Sequence, residues 1–228
     1  MEYFRSHVLC QGFEVGARPV SVYFLAVIDR ETLRSRLQAA GRHPAEFYAL
    51  LPGETSPGSH VWTDSPLPAA VLLGVVGYED DPRVVLTLRT ADLRDHAGQI
   101  SLPGGRVEVS DSSLEAAALR EAFEEVGLRP EQVEVLGRLP SYDTPTGFRV
   151  VPIVGWIEPP VTFVPDPFEV ADVFEVPLAF ILDAANHGRG EIEAEGRRRH
   201  FHVLDYEDRH IWGATAGILV GFARLVAG

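Results

Sequence analysis

Between Ser112 and Gly127 the sequence marks both ends of one helix and divides its surface into two unlike halves, so any fold for this chain has to place that element. Ser112-Ser113-Leu114-Glu115 fits a capping box, with Ser112 as N-cap and Glu115 reaching back to it. Gly127 supplies the residue type that tolerates a left-handed helix end, and Pro130 prevents the helix from resuming. The expected helix is therefore 113–126. At about 100° per residue, Ala118, Leu119, Ala122, Phe123 and Val126 share one arc, expected to pack, and Glu121, Glu124 and Glu125 share the adjacent one. Like charges one turn apart, such as Glu121 and Glu125, repel on a bare helix. A solvated acidic face with Arg120 as partial counter-ion is the plain explanation. Against it stands the segment Leu102-Pro103-Gly104-Gly105, a strand end running into a glycine loop, where a backbone carbonyl can approach a cation unobstructed. Carboxylates plus a carbonyl form a hard-oxygen site suited to Mg²⁺ or Mn²⁺.

The rest of the chain supplies the frame. Residues 69–78 and 83–89 read as strands joined by a Glu-Asp-Asp-Pro turn, and 133–139, 149–157 and 199–206 as further strands. Helical periodicity recurs at 214–226 and, more weakly, at 178–185. This alternation predicts an α/β architecture with helices packed on a sheet. Near the N-terminus, 20–28 reads as a strand, Asp29 caps a helix running through Ala40 to Gly41, and 44–51 is a short helix. Pro, Gly, Ser and Thr dominate 52–68, which places a boundary near 65. The expected organisation is an N-terminal extension, 1–65, and one domain, 66–228.

Composition narrows the classes of function. With 20 Lys+Arg against 33 Asp+Glu, a net charge of -13 argues against nucleic acid or an anionic membrane as partner, and an anionic substrate needs a local cation. The single cysteine, Cys10, excludes an intramolecular disulfide framework and a cysteine-rich zinc site. No secretory leader or membrane span is expected, and the cytoplasm is the default compartment.

The run Gly105 to Leu128, GRVEVSDSSLEAAALREAFEEVGL, resembles the Nudix box, G-x(5)-E-x(7)-R-E-U-x-E-E-x-G-U with U aliphatic. The half from Arg120 to Leu128 matches throughout if Ala122 counts as aliphatic. In the first half Asp111 stands where a glutamate is usual, and the spacing to Arg120 is one residue longer. A second block, LTLRTADLRDHAGQISLPGG from Leu86 to Gly105, resembles the signature of the coenzyme A diphosphatase branch, with Thr90 in place of a smaller residue and Leu102 in place of Phe. The longer box loop with an Asp also fits that branch.

The resemblance implies a Nudix α/β/α sandwich with a mixed sheet, and a diphosphatase that acts on coenzyme A or a derivative. It implies Glu121 and Glu125 as metal ligands for Mg²⁺ or Mn²⁺, with the Gly104 carbonyl completing the site and Glu124 in support or holding a further ion. Gly105, Asp111, Arg120 and Gly127 are structural members of the motif, Arg120 tying the glycine loop to the helix. Arg89 and Arg94 are candidates for the substrate phosphates, since a guanidinium recognises them in a planar, two-toothed way. His96 is a candidate phosphate donor or proton carrier. For the general base Glu158, Glu169 and Glu175 are open, and Glu169 is preferred. Arg197-Arg198-Arg199-His200 is expected in a solvated hairpin turn. Two other readings stay open: a Nudix hydrolase of NADH, ADP-ribose or a dinucleoside polyphosphate, and a non-catalytic Nudix-fold binding module. A homodimer formed through the 20–28 strand is a further possibility.

Overall fold

The computed structural model describes residues 28–40, 65–91, 97–194 and 197–227. The expected strand at 20–28 (but for its last residue), the helix at 44–51, Gly41 and most of the 52–68 segment lie outside the described residues.

The apolar run in the middle of the sheet has to be covered on both sides, because its alternate residues are all hydrophobic. That run is β1 (Leu67–Val76), which pairs along its whole length with β7 (Phe148–Ile157) in parallel. Ala70, Leu72 and Val76 face one layer and Ala69, Leu73 and Val75 the other. Outside β7 lies antiparallel β5 (Val133–Arg138), and β6 (Tyr142–Asp143) pairs with the start of β7. On the other edge β1 meets β2 (Arg83–Arg89) only at Val75–Val76, opposite Val84 and Arg83. The two strands then part. Two short strands fill the gap: β3 (Ile100–Ser101) pairs with the end of β2, and β4 (Gly104–Arg106) with the start of β1. Strand β8 (Val170–Pro177) covers the far side of β2.

Helix α2 (Leu114–Val126) lies on the first face, its Ala117, Ala118, Ala122 and Val126 packed with Leu72, Val85, Ile153 and Ile157. The second face carries α1 (Arg30–Ala40), α3 (Leu178–Leu182) and α4 (Gly213–Ala227), joined by a small antiparallel sheet of β9 (Gly188–Ala194), β10 (Arg197–Tyr206) and β11 (Arg209–Trp212). The result is the expected α/β/α sandwich. Helix α4 is buried on almost every side, from Ala216 to Val226, and the Thr215 hydroxyl at its start donates to the Ile100 carbonyl at 3.0 Å. No helix among the described residues is long and apolar enough to cross a membrane.

Four local expectations change. The N-cap of α2 is Ser113, not Ser112: its hydroxyl accepts the Ala116 amide at 3.1 Å. Phe123 does not pack but is 51% exposed, while Ala117 and Glu125 are buried. The weak helix at 178–185 stops at Leu182 and continues only as a 3-10 turn, Ala184–Asn186. The Asp29 carboxylate does cap α1, accepting the Thr32 amide at 2.8 Å. The Arg197–His200 segment lies not in a turn but in strand β10, paired with Ala194 to Glu191 of β9.

Helix α1 is docked by Leu33 and Leu37, both buried in the second layer, and by Arg30 and Arg34 on Glu134 of β5. Leu33→Ala should therefore cost about 2–5 kcal/mol in urea unfolding. A loss below about 1 kcal/mol would show that the helix is not part of the cooperative core.

Candidate active site

The parting of β1 and β2 leaves a notch, and the glycine loop turns inside it. Gly104 has φ 151°, and a Cβ there would stand 2.4 Å from the Ala70 carbonyl oxygen and 2.5 Å from Val71 Cα. Only glycine fits. A Cβ on Gly105 would lie 2.6 Å from the carboxyl carbon of Glu121. The loop is thus pressed directly under the acidic end of α2, and the Gly104 amide donates to Glu125 Oε2 at 3.1 Å.

Glu125 is only 3% exposed. Its other oxygen, Oε1, is 3.5 Å from Nη1 of Arg89, at the end of β2. Burial raises the Glu125 carboxyl to about 7; the Gly104 amide and Arg89 pull it down, and the charges of Glu121 and Glu169 push it up. Glu121 is raised for the same first reason, with Arg120 offsetting and Glu124 and Glu169 adding to the shift. Three carboxylates, Glu121, Glu125 and Glu169, therefore share one field. The buried Nε of Arg89 has no hydrogen-bond partner among the described residues.

Arg120 binds elsewhere. Its Nε and Nη2 take the two oxygens of Asp111 at 2.9 and 3.0 Å, and Nη2 also donates to the Arg106 carbonyl at 3.1 Å. Nη1 reaches Glu121 and Glu124, each at 3.0 Å. Hydrogen bonds from Arg120 first, then from the Glu108 amide, hold the Asp111 carboxyl below its usual range. Gly127, with φ 68°, closes the helix as its amide bonds back to Phe123.

Glu169 reaches the site by a route that no sequence pattern signalled. The last carbonyls of a helix lack partners within it. Here the Glu125 carbonyl accepts the Asp166 amide at 2.9 Å, and the Val126 carbonyl accepts the Val164 amide at 2.8 Å. At the end of β2 the Thr90 amide donates to the Glu169 carbonyl and its hydroxyl to the Phe168 carbonyl, both at 3.0 Å. The 164–169 loop is thus fastened to α2 and β2 together. Glu158 instead pairs with Arg30 and Trp156, and Glu175 with Tyr78. Arg94 and His96 lie outside the described residues.

Among the described residues no three His, Cys, Asp or Glu side chains stand close enough to enclose a metal ion as they are placed. Glu124 is drawn to Arg120 and half exposed. A Mg²⁺-type ion needs less, since it is commonly held by one or two carboxylates with waters in its remaining positions. Glu121 and Glu125, hard-oxygen donors that burial and mutual repulsion leave under-compensated, fit that requirement.

A NUDIX domain family model matches residues 68–194, more than half of the chain. The chain is 46% identical over 151 residues to an uncharacterized Nudix hydrolase NudL of Cronobacter sakazakii, and 48% identical to the one of Citrobacter koseri. Each alignment covers 66% of this chain and 78% of the relative. Among solved structures, a Nudix hydrolase from M. smegmatis, RenU, superposes with TM-score 0.44 at 25% identity, over 51% of this chain and 74% of that one.

The raised Glu125 carboxyl has a consequence for stability. The folded chain holds a proton that the unfolded chain releases near 4.5, so this group's contribution falls as pH rises from about 4.5 to about 7. The full difference is a few kcal/mol. In EDTA, urea unfolding of the parent should weaken across that window, and Glu125→Gln should flatten the trend. Equal slopes in both proteins would assign the pH dependence to another group.

Proposed function

Because the chain belongs to the Nudix hydrolase family, we propose that its glutamate site cuts the diphosphate linkage of coenzyme A or a derivative. Members of that family act on small nucleotide derivatives and generally use divalent metal ions. The products are adenosine 3′,5′-bisphosphate and 4′-phosphopantetheine or its acylated form. The observation that carries the hydrolase reading is the buried Glu125 carboxylate, held between the Gly104 amide and Arg89 within the field of Glu121 and Glu169. The narrower substrate reading rests on the block from Leu86 to Gly105, of which Arg89 and Gly104 are part.

Glu121 and Glu125 would hold the metal, with the Gly104 carbonyl as a third oxygen and Glu124 in support. A bound Mg²⁺ or Mn²⁺ supplies neutralisation of phosphate charge and a lowered pKa for a water. Arg89 binds a substrate phosphate oxygen through its Nε, unpartnered among the described residues, and its Nη atoms. Arg94 and His96 belong to the same signature and serve the same phosphates. Glu169 takes a proton from water as the water oxygen attacks one phosphorus, and the bond from that phosphorus to the bridging oxygen breaks. The leaving phosphate keeps the bridging oxygen. Such an in-line displacement depends on positioning and charge compensation, with no covalent intermediate. Asp111, Arg120, Gly105 and Gly127 keep loop and helix in register.

With Mg²⁺, coenzyme A should yield the two named products, identified by mass, and Glu125→Gln should lower kcat/KM by about a hundredfold or more with the fold retained. Turnover of NADH or ADP-ribose with coenzyme A spared would sink the coenzyme A assignment. Unchanged activity in Glu125→Gln would sink the site assignment.

A further inference from the structure

The glutamates are not the only ionisable side chains of one kind that the fold collects. Across the sheet from α2, in the layer of α3, α4 and the small sheet, a cavity of ≈ 280 Å³ is lined by Leu182, Ala184, His187, Arg189, His202, Ala223 and Arg224. Four of these seven carry basic nitrogens. They come from separate elements: His187 just before β9, Arg189 in β9, His202 in β10 and Arg224 in the last turn of α4. Arg189 and His202 are direct cross-strand partners, so both side chains stand on the same face of the small sheet. In a chain of net charge -13, such a gathering is not what a random surface supplies.

The geometry points to an anion site: the cavity bounded by His187, Arg189, His202 and Arg224 binds a phosphoryl group, either free phosphate or a phosphate ester of a small molecule. The two arginines give the planar donors that phosphate oxygens prefer. They stand exposed at the mouth, while His202 is buried at the base. His187 is oriented by Nε2, which lies 2.8 Å from the Ile181 carbonyl and in the neutral ring donates to it. That contact fixes the ring. His202 bears the mark of the crowding: burial first, then Arg224, His187 and Arg189, lower its pKa to about 4. Two carboxylates stand close by in sequence. Asp183 caps the 3-10 turn by accepting the Ala185 amide at 2.9 Å, and Glu191, two residues beyond Arg189, lies 3.3 Å from His200 Nδ1. The volume is near the lower end of ligand pockets, which suits a phosphate ion or the phosphate end of a small ester.

The test uses the full chain in EDTA, titrated with inorganic phosphate while the imidazole proton resonances of His187 and His202 are followed. A saturable shift of both is expected. The double variant Arg189→Ala, Arg224→Ala should bind phosphate about tenfold or more weakly, with the fold retained by circular dichroism. Adenosine monophosphate separates the two sources: tighter binding than inorganic phosphate assigns an ester, and equal binding assigns the free ion. No saturable shift at millimolar phosphate, or an affinity that the double variant leaves unchanged, would overturn the site.

Discussion

A carboxylate buried beneath a glycine loop is the constraint around which this domain is arranged. Glu125 is covered, touched by one amide and one guanidinium at the limit of hydrogen bonding, and repelled by two further carboxylates. Such a group is costly to fold around. The structure tolerates it through specific devices: β1 and β2 pair over two residues only, Gly104 takes a conformation and a space no other residue can use, and Arg89 is delivered from the end of β2. Each device sits at the same corner of the sheet. An arrangement that gathers negative charge there and compensates it incompletely suits a cationic guest.

The orientation of α2 shows how far the sequence could be read. Both ends of the helix were legible within a residue, because caps leave local chemical signatures. Two adjacent serines could not be told apart, since either can present a hydroxyl to an amide three residues on. The buried face was placed wrongly by nearly a quarter of a turn. Counting apolar residues centred it on Ala122 and Val126 and took in Phe123, whereas the packed side runs from Ala117 through Ala118, Ala122 and Glu125 to Val126. The reason is steric. Alanines let the helix lie close to β1 and β4, and close approach is needed for Glu121 and Glu125 to meet the loop. A large Phe on that side would hold the helix away. Hydrophobicity alone points to the wrong face wherever a polar group is the one being buried.

Other features left no readable trace. Strands β3 and β4 have two and three residues, too few for any alternation to register. Strand β8 carries Asp172 and Glu175 within it and is buried on neither face throughout. The tether that delivers Glu169 consists entirely of main-chain donors meeting the spare carbonyls of α2, with Thr90 adding the second fastening. Backbone hydrogen bonds are blind to side-chain identity, so Glu169 could be preferred among three downstream glutamates, while the tether that holds it beside Glu121 and Glu125 could not be read before the fold was known. Strand β1, by contrast, was legible from composition alone, since a centre strand covered on both faces must be apolar at every position.

The loop between β4 and α2 illustrates compensation between length and side chain. An aspartate is one methylene shorter than the glutamate usual at that place, and the loop before Arg120 is one residue longer. The two departures act together: Asp111 folds back on its own turn, its amide bonding to the Glu108 carbonyl and its Oδ2 accepting the Glu108 amide. Held this way, both its oxygens face Arg120 in the fork geometry that a guanidinium prefers. Arg120 then spends its remaining donors on the Arg106 carbonyl and on two glutamates of its own helix. One cation thereby spans the end of β4, the loop and α2. Loosening any of the three would let Glu121 drift from the glycine loop, so the geometry of the acidic site depends on a pair that stands outside it.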